Sequence, residues 1–130
     1  MERSPPAGVR LVICDDNAEL RSVLGTLLEQ GGALEVVGEA GDGYRAREVV
    51  RAAAPDVVLL DLHMPGPDAS QLIRELRAAA PRAAIVTLSG DDPRRTVDAG
   101  ALGEIALHLP KTADPLSLRD ILADVAHARG

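Results

Sequence analysis

The chain has 130 residues, 46% of them hydrophobic and 26% charged, with a formal net charge of -6. A chain of this size folds as one domain around a core of its own, and its apolar content excludes a disordered segment. The acidic balance excludes direct nucleic-acid binding, because no basic stripe is present to neutralise phosphates.

One cysteine, Cys14, excludes an internal disulfide and suits a reducing cytoplasm. No apolar run reaches membrane-spanning length, and Met1 to Arg10 lacks the apolar middle of a signal peptide. Residues 1–8 read as a flexible leader and 9–130 as the domain, with no second domain in this chain. Tyr44 is the only aromatic residue, so the core must be built from Leu, Val, Ile and Ala.

Val9 to Cys14 reads as a short buried strand that ends at Asp15-Asp16. Asn17 is placed to cap a helix whose apolar face is Leu20, Val23, Leu24, Leu27 and Leu28, at helical spacing. Gly31-Gly32 terminates it. Leu34 to Gly38 is a second strand, and Gly41-Asp42-Gly43 a turn. A second helix covers Tyr44 to Ala54, with Ala46, Val49, Val50 and Ala53 inward, and Pro55 closes it. Asp56 to Leu60 is a third strand. Its run Val57-Val58-Leu59-Leu60 stops abruptly at Asp61, and a Pro-Gly turn, Pro65-Gly66, comes next.

Asp68 or Ser70 caps a third helix carrying Leu72, Ile73 and Leu76. Ala84 to Leu88 is a fourth strand, ending at Ser89-Gly90. Asp91 or Asp92 caps a fourth helix, with Pro93 in its first turn. Gly100 and Gly103 and a poor apolar period predict that this helix is short or irregular. Ile105 to Leu109 is a fifth strand, which Pro110-Lys111 leaves. Asp114-Pro115 starts a last helix with Leu118, Ile121, Leu122 and Val125 as its apolar face. Strand and helix alternate five times, which implies an α/β domain with a parallel sheet covered on both faces and right-handed crossovers.

In such a sheet the carboxyl ends of all strands share one rim, where open α/β sheets carry their chemistry. Asp15 and Asp16, Asp61, Ser89 and Lys111 therefore converge. Each alone has an ordinary explanation as a cap, a turn residue or a surface lysine. Their placement on successive strand ends does not. Three close carboxylates repel and call for a cation, and oxygen ligands with an open face suit Mg²⁺. Asp15 and Asp16 are the candidate metal-binding acids. Asp61 is a further ligand and also the candidate nucleophile, forming an aspartyl phosphate. Lys111 and Ser89 are placed to stabilise the equatorial oxygens of a transferred phosphoryl group.

The segments Leu11 to Asp16 (LVICDD), Val57 to Gly66 (VVLLDLHMPG), Ile85 to Gly90 (IVTLSG) and Pro110-Lys111 resemble the receiver domain of bacterial two-component response regulators, over residues 9 to 128. Val36 to Gly43 (VVGEAGDG) and Lys111 to Pro115 (KTADP) resemble the subgroup that carries a LuxR-type helix-turn-helix output domain, the NarL/FixJ type. The resemblance implies the flavodoxin-like (βα)₅ fold, strand order 2-1-3-4-5, and a cytoplasmic signalling protein. It implies that Asp61 accepts a phosphoryl group from a sensor histidine kinase. Mg²⁺ would be held by Asp15, Asp16, Asp61 and the His63 backbone carbonyl. Ser89 would be the switch hydroxyl, Lys111 the phosphate-binding lysine, and His108 would occupy the switch-aromatic position. It further implies a role in transcription, DNA contact only through an output domain, and a homodimer surface on the fourth helix, fifth strand and fifth helix.

The chain also departs from the pattern. His108 replaces a Tyr or Phe, altering the aromatic switch and opening it to pH. Ala69 stands where a glycine usually opens the third helix, Ala99-Gly100-Ala101 comes four residues early relative to Lys111, and Thr112 replaces a proline. These changes bear on signal output rather than on phosphoryl chemistry.

Two other classes compete with the phosphorylated switch. One is a pseudo-receiver working as a phosphorylation-independent interaction or dimerisation module. The other is a Mg²⁺-dependent phosphatase with an aspartyl nucleophile, but Asp15-Asp16-Asn17-Ala18 lacks the separated acid pair and following hydroxyl of such enzymes. The receiver itself is expected to catalyse only its own phosphorylation and slow dephosphorylation. Cys14 reads as an inert buried thiol, Arg94-Arg95 as a solvated face, and Tyr44 as a cover for the core edge.

Overall fold

The structure is a computed structural model that describes residues 8–129. Apart from Gly8, the expected leader lies outside the described residues. The elements run in the order β1 (Val9–Cys14), α1 (Ala18–Glu29), β2 (Leu34–Ala40), α2 (Gly43–Ala53), β3 (Val57–Asp61), α3 (Ala69–Ala79), β4 (Ala84–Ser89), a 3₁₀ turn (Pro93–Arg95), α4 (Ala99–Leu102), β5 (Ile105–Pro110) and α5 (Pro115–Arg129). All strand pairs are parallel, in the order β2-β1-β3-β4-β5. The alternation of elements implies the parallel sheet, and the strand order is that of the doubly wound, flavodoxin-like fold that the resemblance implies.

Strand alternation sends side chains to two separate cores. Leu11, Ile13, Val57, Leu59 and Val86 pack with Leu24 and Leu28 of α1 and Leu118 and Leu122 of α5. Val12, Cys14, Val58, Leu60 and Ile85 pack with Val50 of α2 and Leu72, Ile73 and Leu76 of α3. Every residue of β3 and β4 is buried. Each fully buried Leu, Ile or Val contributes about 1.5–3 kcal/mol, so the two central strands anchor the rim on which they end.

Local chemistry sets the helix starts. Asn17, Asp42, Asp68, Asp92 and Asp98 each accept a backbone N–H of the first turn, satisfying donors that a helix start leaves free. After β3 the chain turns at Gly66, whose φ of 124° lies in the region that favours glycine. A Cβ there would sit 3.0 Å from the Gly43 nitrogen, and the Gly43 N–H donates to the Pro65 carbonyl at 2.8 Å. The loop after Asp61 is thus fastened to the start of α2.

Several boundaries and faces differ from the sequence reading. β2 runs two residues further, to Ala40, and β3 takes in Asp61. Helix α2 stops at Ala53, with Ala54 in the left-handed region at φ 46°. Val23 is 55% exposed rather than inward. The buried stripe of α1 is Leu24, Gly25 and Leu28; the bare Gly25 lies against Val36 of β2, and that rotation lifts Val23 off the core. Tyr44 does not cover the core edge: it is 57% exposed, with the Arg47 guanidinium 5.8 Å from its ring centroid. The fourth helix is reduced to the 3₁₀ turn and the four residues of α4. Asp92 and Asp98 each start a new turn there, and Gly100 and Gly103 weaken helix propagation. Ala69 is an ordinary first residue of α3 and needs no positive φ.

Candidate functional site

Strand register brings the site together. Cys14 pairs with Leu60, so Asp15 and Asp61 are the next residues on adjoining strands. Asp61 pairs with Leu88, and Ser89 with Pro110, which puts Ser89 one step beyond Asp61 and Lys111 one step beyond Ser89. Lys111 leaves β5 two strands from Asp61, about 10 Å away at ordinary strand spacing, a gap that its long side chain spans.

Asp15 and Asp61 are held in the same way. Each is 2% exposed. Each uses Oδ1 to accept the backbone N–H two residues on: Asn17 at 2.9 Å for Asp15, His63 at 3.0 Å for Asp61. Each turns Oδ2 toward the Lys111 ammonium, at 3.4 Å and 3.0 Å respectively. Asp16 is exposed beside them, and one carboxylate oxygen from each of the three acids lies within 4.8 Å of the others. Arg21 of α1 steadies the end of β1, donating Nη1 to the Asp15 carbonyl at 2.5 Å and Nε to Glu39 at 3.2 Å. Burial works against the charge on Lys111, but its hydrogen bond to Asp61 and the charges of Asp61 and Asp15 outweigh that and hold its pKa above the ordinary 10.5.

Asp61 is therefore a rim residue without being an open one; Lys111 covers it. The donor set suits a hard divalent cation, since it is all carboxylate oxygen and holds three negative charges against one ammonium. Cys14, directly beneath, takes no part: burial pushes its thiol up to about 12, as expected of an inert core cysteine. A hollow of about 370 Å³ between Pro55, Asp56, Pro81 and Arg82 lies at the opposite, amino end of β3 and β4.

Ser89 is 2% exposed and points to other partners. Its Oγ accepts the Asp91 N–H at 3.0 Å and lies 3.1 Å from His63 Nε2. The same Nε2 is 3.2 Å from Asp91 Oδ2. His108 is half-buried, with Nδ1 2.6 Å from the hydroxyl of the fully buried Thr87, its partner in register on β4. Sequence reasoning gave His63 a backbone role only and missed its ring, Asp91, Thr87 and Arg21. The parallel pairing of β3 with β4 was a usable signal for two of them, because loops leaving neighbouring strand ends carry His63 and Asp91 two residues beyond Asp61 and Ser89.

Among the described residues, no helix is long and apolar enough to cross a membrane. The profile of the response regulator receiver domain matches residues 11–123. The structure resembles the signal receiver domain of the response regulator NarL from Mycobacterium tuberculosis, with TM-score 0.82 and 33% identity, covering 94% of this chain and 98% of that one. In sequence the chain is 41% identical over 107 residues to protein-glutamate methylesterase/protein-glutamine glutaminase 5 of Myxococcus xanthus (strain DK1622), covering 81% of this chain and 31% of that protein. It is 35% identical over 123 residues to protein-glutamate methylesterase/protein-glutamine glutaminase 2 of Burkholderia thailandensis, covering 91% and 34%. The chain thus spans about a third of the length of these curated relatives.

Proposed function

The chain belongs to the response regulator receiver domain family, and from that premise we propose that Asp61 accepts a phosphoryl group from the phosphohistidine of a sensor kinase. The observation that carries this reading is the Lys111 ammonium resting on both Asp61 and Asp15, with an Asp16 oxygen close by. In the transfer a carboxylate oxygen of Asp61 forms a bond to phosphorus as the nitrogen–phosphorus bond of the donor breaks, and the leaving imidazole takes up a proton. The Asp61 Oδ1 hydrogen bond from His63 N–H holds the carboxylate in place for attack. Lys111 neutralises charge on the transferred oxygens, and the Ser89 hydroxyl donates to one of them. Asp15, Asp16, Asp61 and the His63 carbonyl would hold Mg²⁺, which supplies further charge neutralisation.

Phosphorylation then biases a two-state equilibrium and changes the face made by α4, β5 and α5, which also serves as a homodimer surface. The chain is a cytoplasmic phosphoacceptor, not an enzyme with steady turnover. For its output we propose transcription regulation through a LuxR-type DNA-binding domain, supported by VVGEAGDG and KTADP and by the resemblance to the NarL receiver. A second reading has its own support: the 41% identity to a methylesterase fits a receiver that controls an esterase domain. Pull-down of the phosphorylated chain by a helix-turn-helix domain or by an esterase domain separates the two. The phosphoryl chemistry itself is tested with acetyl phosphate. One Mg²⁺-dependent turnover and then slow self-hydrolysis is expected; steady phosphoester turnover would indicate a phosphatase, and no reaction a pseudo-receiver.

A further inference from the structure

We propose that Arg21 is a positioning residue for the metal site, holding the peptide between Asp15 and Asp16 so that both acids face one Mg²⁺ ion. The inference rests on the reading that these acids hold Mg²⁺ and adds a residue to it. Arg21 lies one turn into α1, where its backbone N–H donates to the Asn17 carbonyl at 3.0 Å. Its side chain reaches back past that cap, and Nη1 donates to the Asp15 carbonyl at 2.5 Å. Nε donates to Glu39 Oε1 of β2 at 3.2 Å. One residue thus closes the loop that carries Asp16 at two points. Asp15 has other fasteners: the Asn17 N–H and Lys111 hold its carboxylate, and its own N–H donates to the Ala40 carbonyl at 3.0 Å. Asp16 is exposed. The direction of its carboxylate therefore follows from the peptide before it, whose carbonyl Arg21 holds.

A guanidinium near three carboxylates opposes the entry of another cation. Arg21 limits that conflict, because its bonds go to a carbonyl and to Glu39 and not to the acids of the cluster. Gly41 adds an independent observation. A Cβ there would lie 3.0 Å from Arg21 Nη1 and 3.7 Å from its Cζ, so the bare glycine leaves the room in which the guanidinium lies. A planar fork seated among a carbonyl, a carboxylate and a bare backbone is held in one orientation. Groups that orient metal ligands without touching the ion set its affinity by about 10–100-fold.

The test is calorimetric titration of the intact chain with Mg²⁺, beside thermal melts without the ion. Charge alone predicts that Arg21→Met, which removes a cation, tightens Mg²⁺ binding. Positioning predicts the opposite, a dissociation constant raised about tenfold. Gly41→Val keeps the charge of Arg21 but crowds its tip, and should raise the constant several-fold. It carries the test by itself should Arg21→Met fail to fold. Unchanged or tighter binding by Arg21→Met overturns the proposal, as does Gly41→Val binding like wild type. A lower Tm with an unchanged dissociation constant overturns it as well, since it reports a role in stability alone. Wild-type binding upholds the metal reading whatever the variants do. A wild-type chain that binds no Mg²⁺ removes that reading and the positioning role with it.

Discussion

The carboxyl rim of the sheet has two halves that are built differently. At the β1–β3 end, Asp15 and Asp61 leave buried strands, share the Lys111 ammonium and are pinned by backbone N–H groups. At the β4–β5 end, the chain passes through a 3₁₀ turn, a four-residue helix and an edge strand of mixed exposure. The first half is rigid because every carboxylate oxygen of Asp15 and Asp61 has a partner and both residues stand at the ends of regular, buried strands. The second half depends on contacts from loops and an edge strand: the His63 ring and the Asp91 N–H to Ser89, and His108 to Thr87. Chemistry needs the first kind of construction and switching the second.

Stability measurements sharpen that contrast. Leu59→Ala on β3 empties a buried position and should cost about 2–5 kcal/mol, whereas Leu102→Ala in the short α4 should cost about 1 kcal/mol, both read by denaturant melts. Equal losses would erase the difference between the halves. Mg²⁺ at a hundred times its dissociation constant should raise stability by about 2.7 kcal/mol, seen as a higher Tm. Asp16→Ala, an exposed substitution, should remove that rise, and persistence of the rise would place the ion elsewhere. Thr87→Val should cost about 0.5–1.5 kcal/mol through the lost His108 hydrogen bond. A much larger loss would mean that the β4–β5 half is as tightly determined as the other.

The alternation of apolar strands and amphipathic helices made the parallel sheet legible in the sequence. It could place Asp15, Asp16, Asp61, Ser89 and Lys111 on one rim because strand ends in a parallel sheet share an edge. It could not show which of them touch. Register decides that, and the one-residue steps from Asp15 and Asp61 to Ser89 to Lys111 belong to pairing between strands distant in sequence. Val23 went wrong because apolar spacing marks a stripe but not its rotation, which Gly25 packing set. The side chains of His63 and Asp91 carried no periodic signal at all. The irregular fourth helix was legible from Gly100 and Gly103, and its division into two turns comes from two capping aspartates, Asp92 and Asp98.

The smallest effect concerns pH. Because the folded pKa of Lys111 lies above 10.5, its ion pairs contribute in full below the ordinary lysine value and are lost as pH rises through the raised one. The stability gap between wild type and Lys111→Met should hold steady up to that pH and close above it. A gap that closes below 10.5 would contradict the pairing.

Intact-mass analysis of wild type and Asp61→Asn after acetyl phosphate and Mg²⁺ tests the central claim most directly. The arrangement of Asp61 beneath Lys111 predicts one phosphoryl group on the wild-type chain and none on the variant. A variant labelled to the same extent as wild type would contradict it.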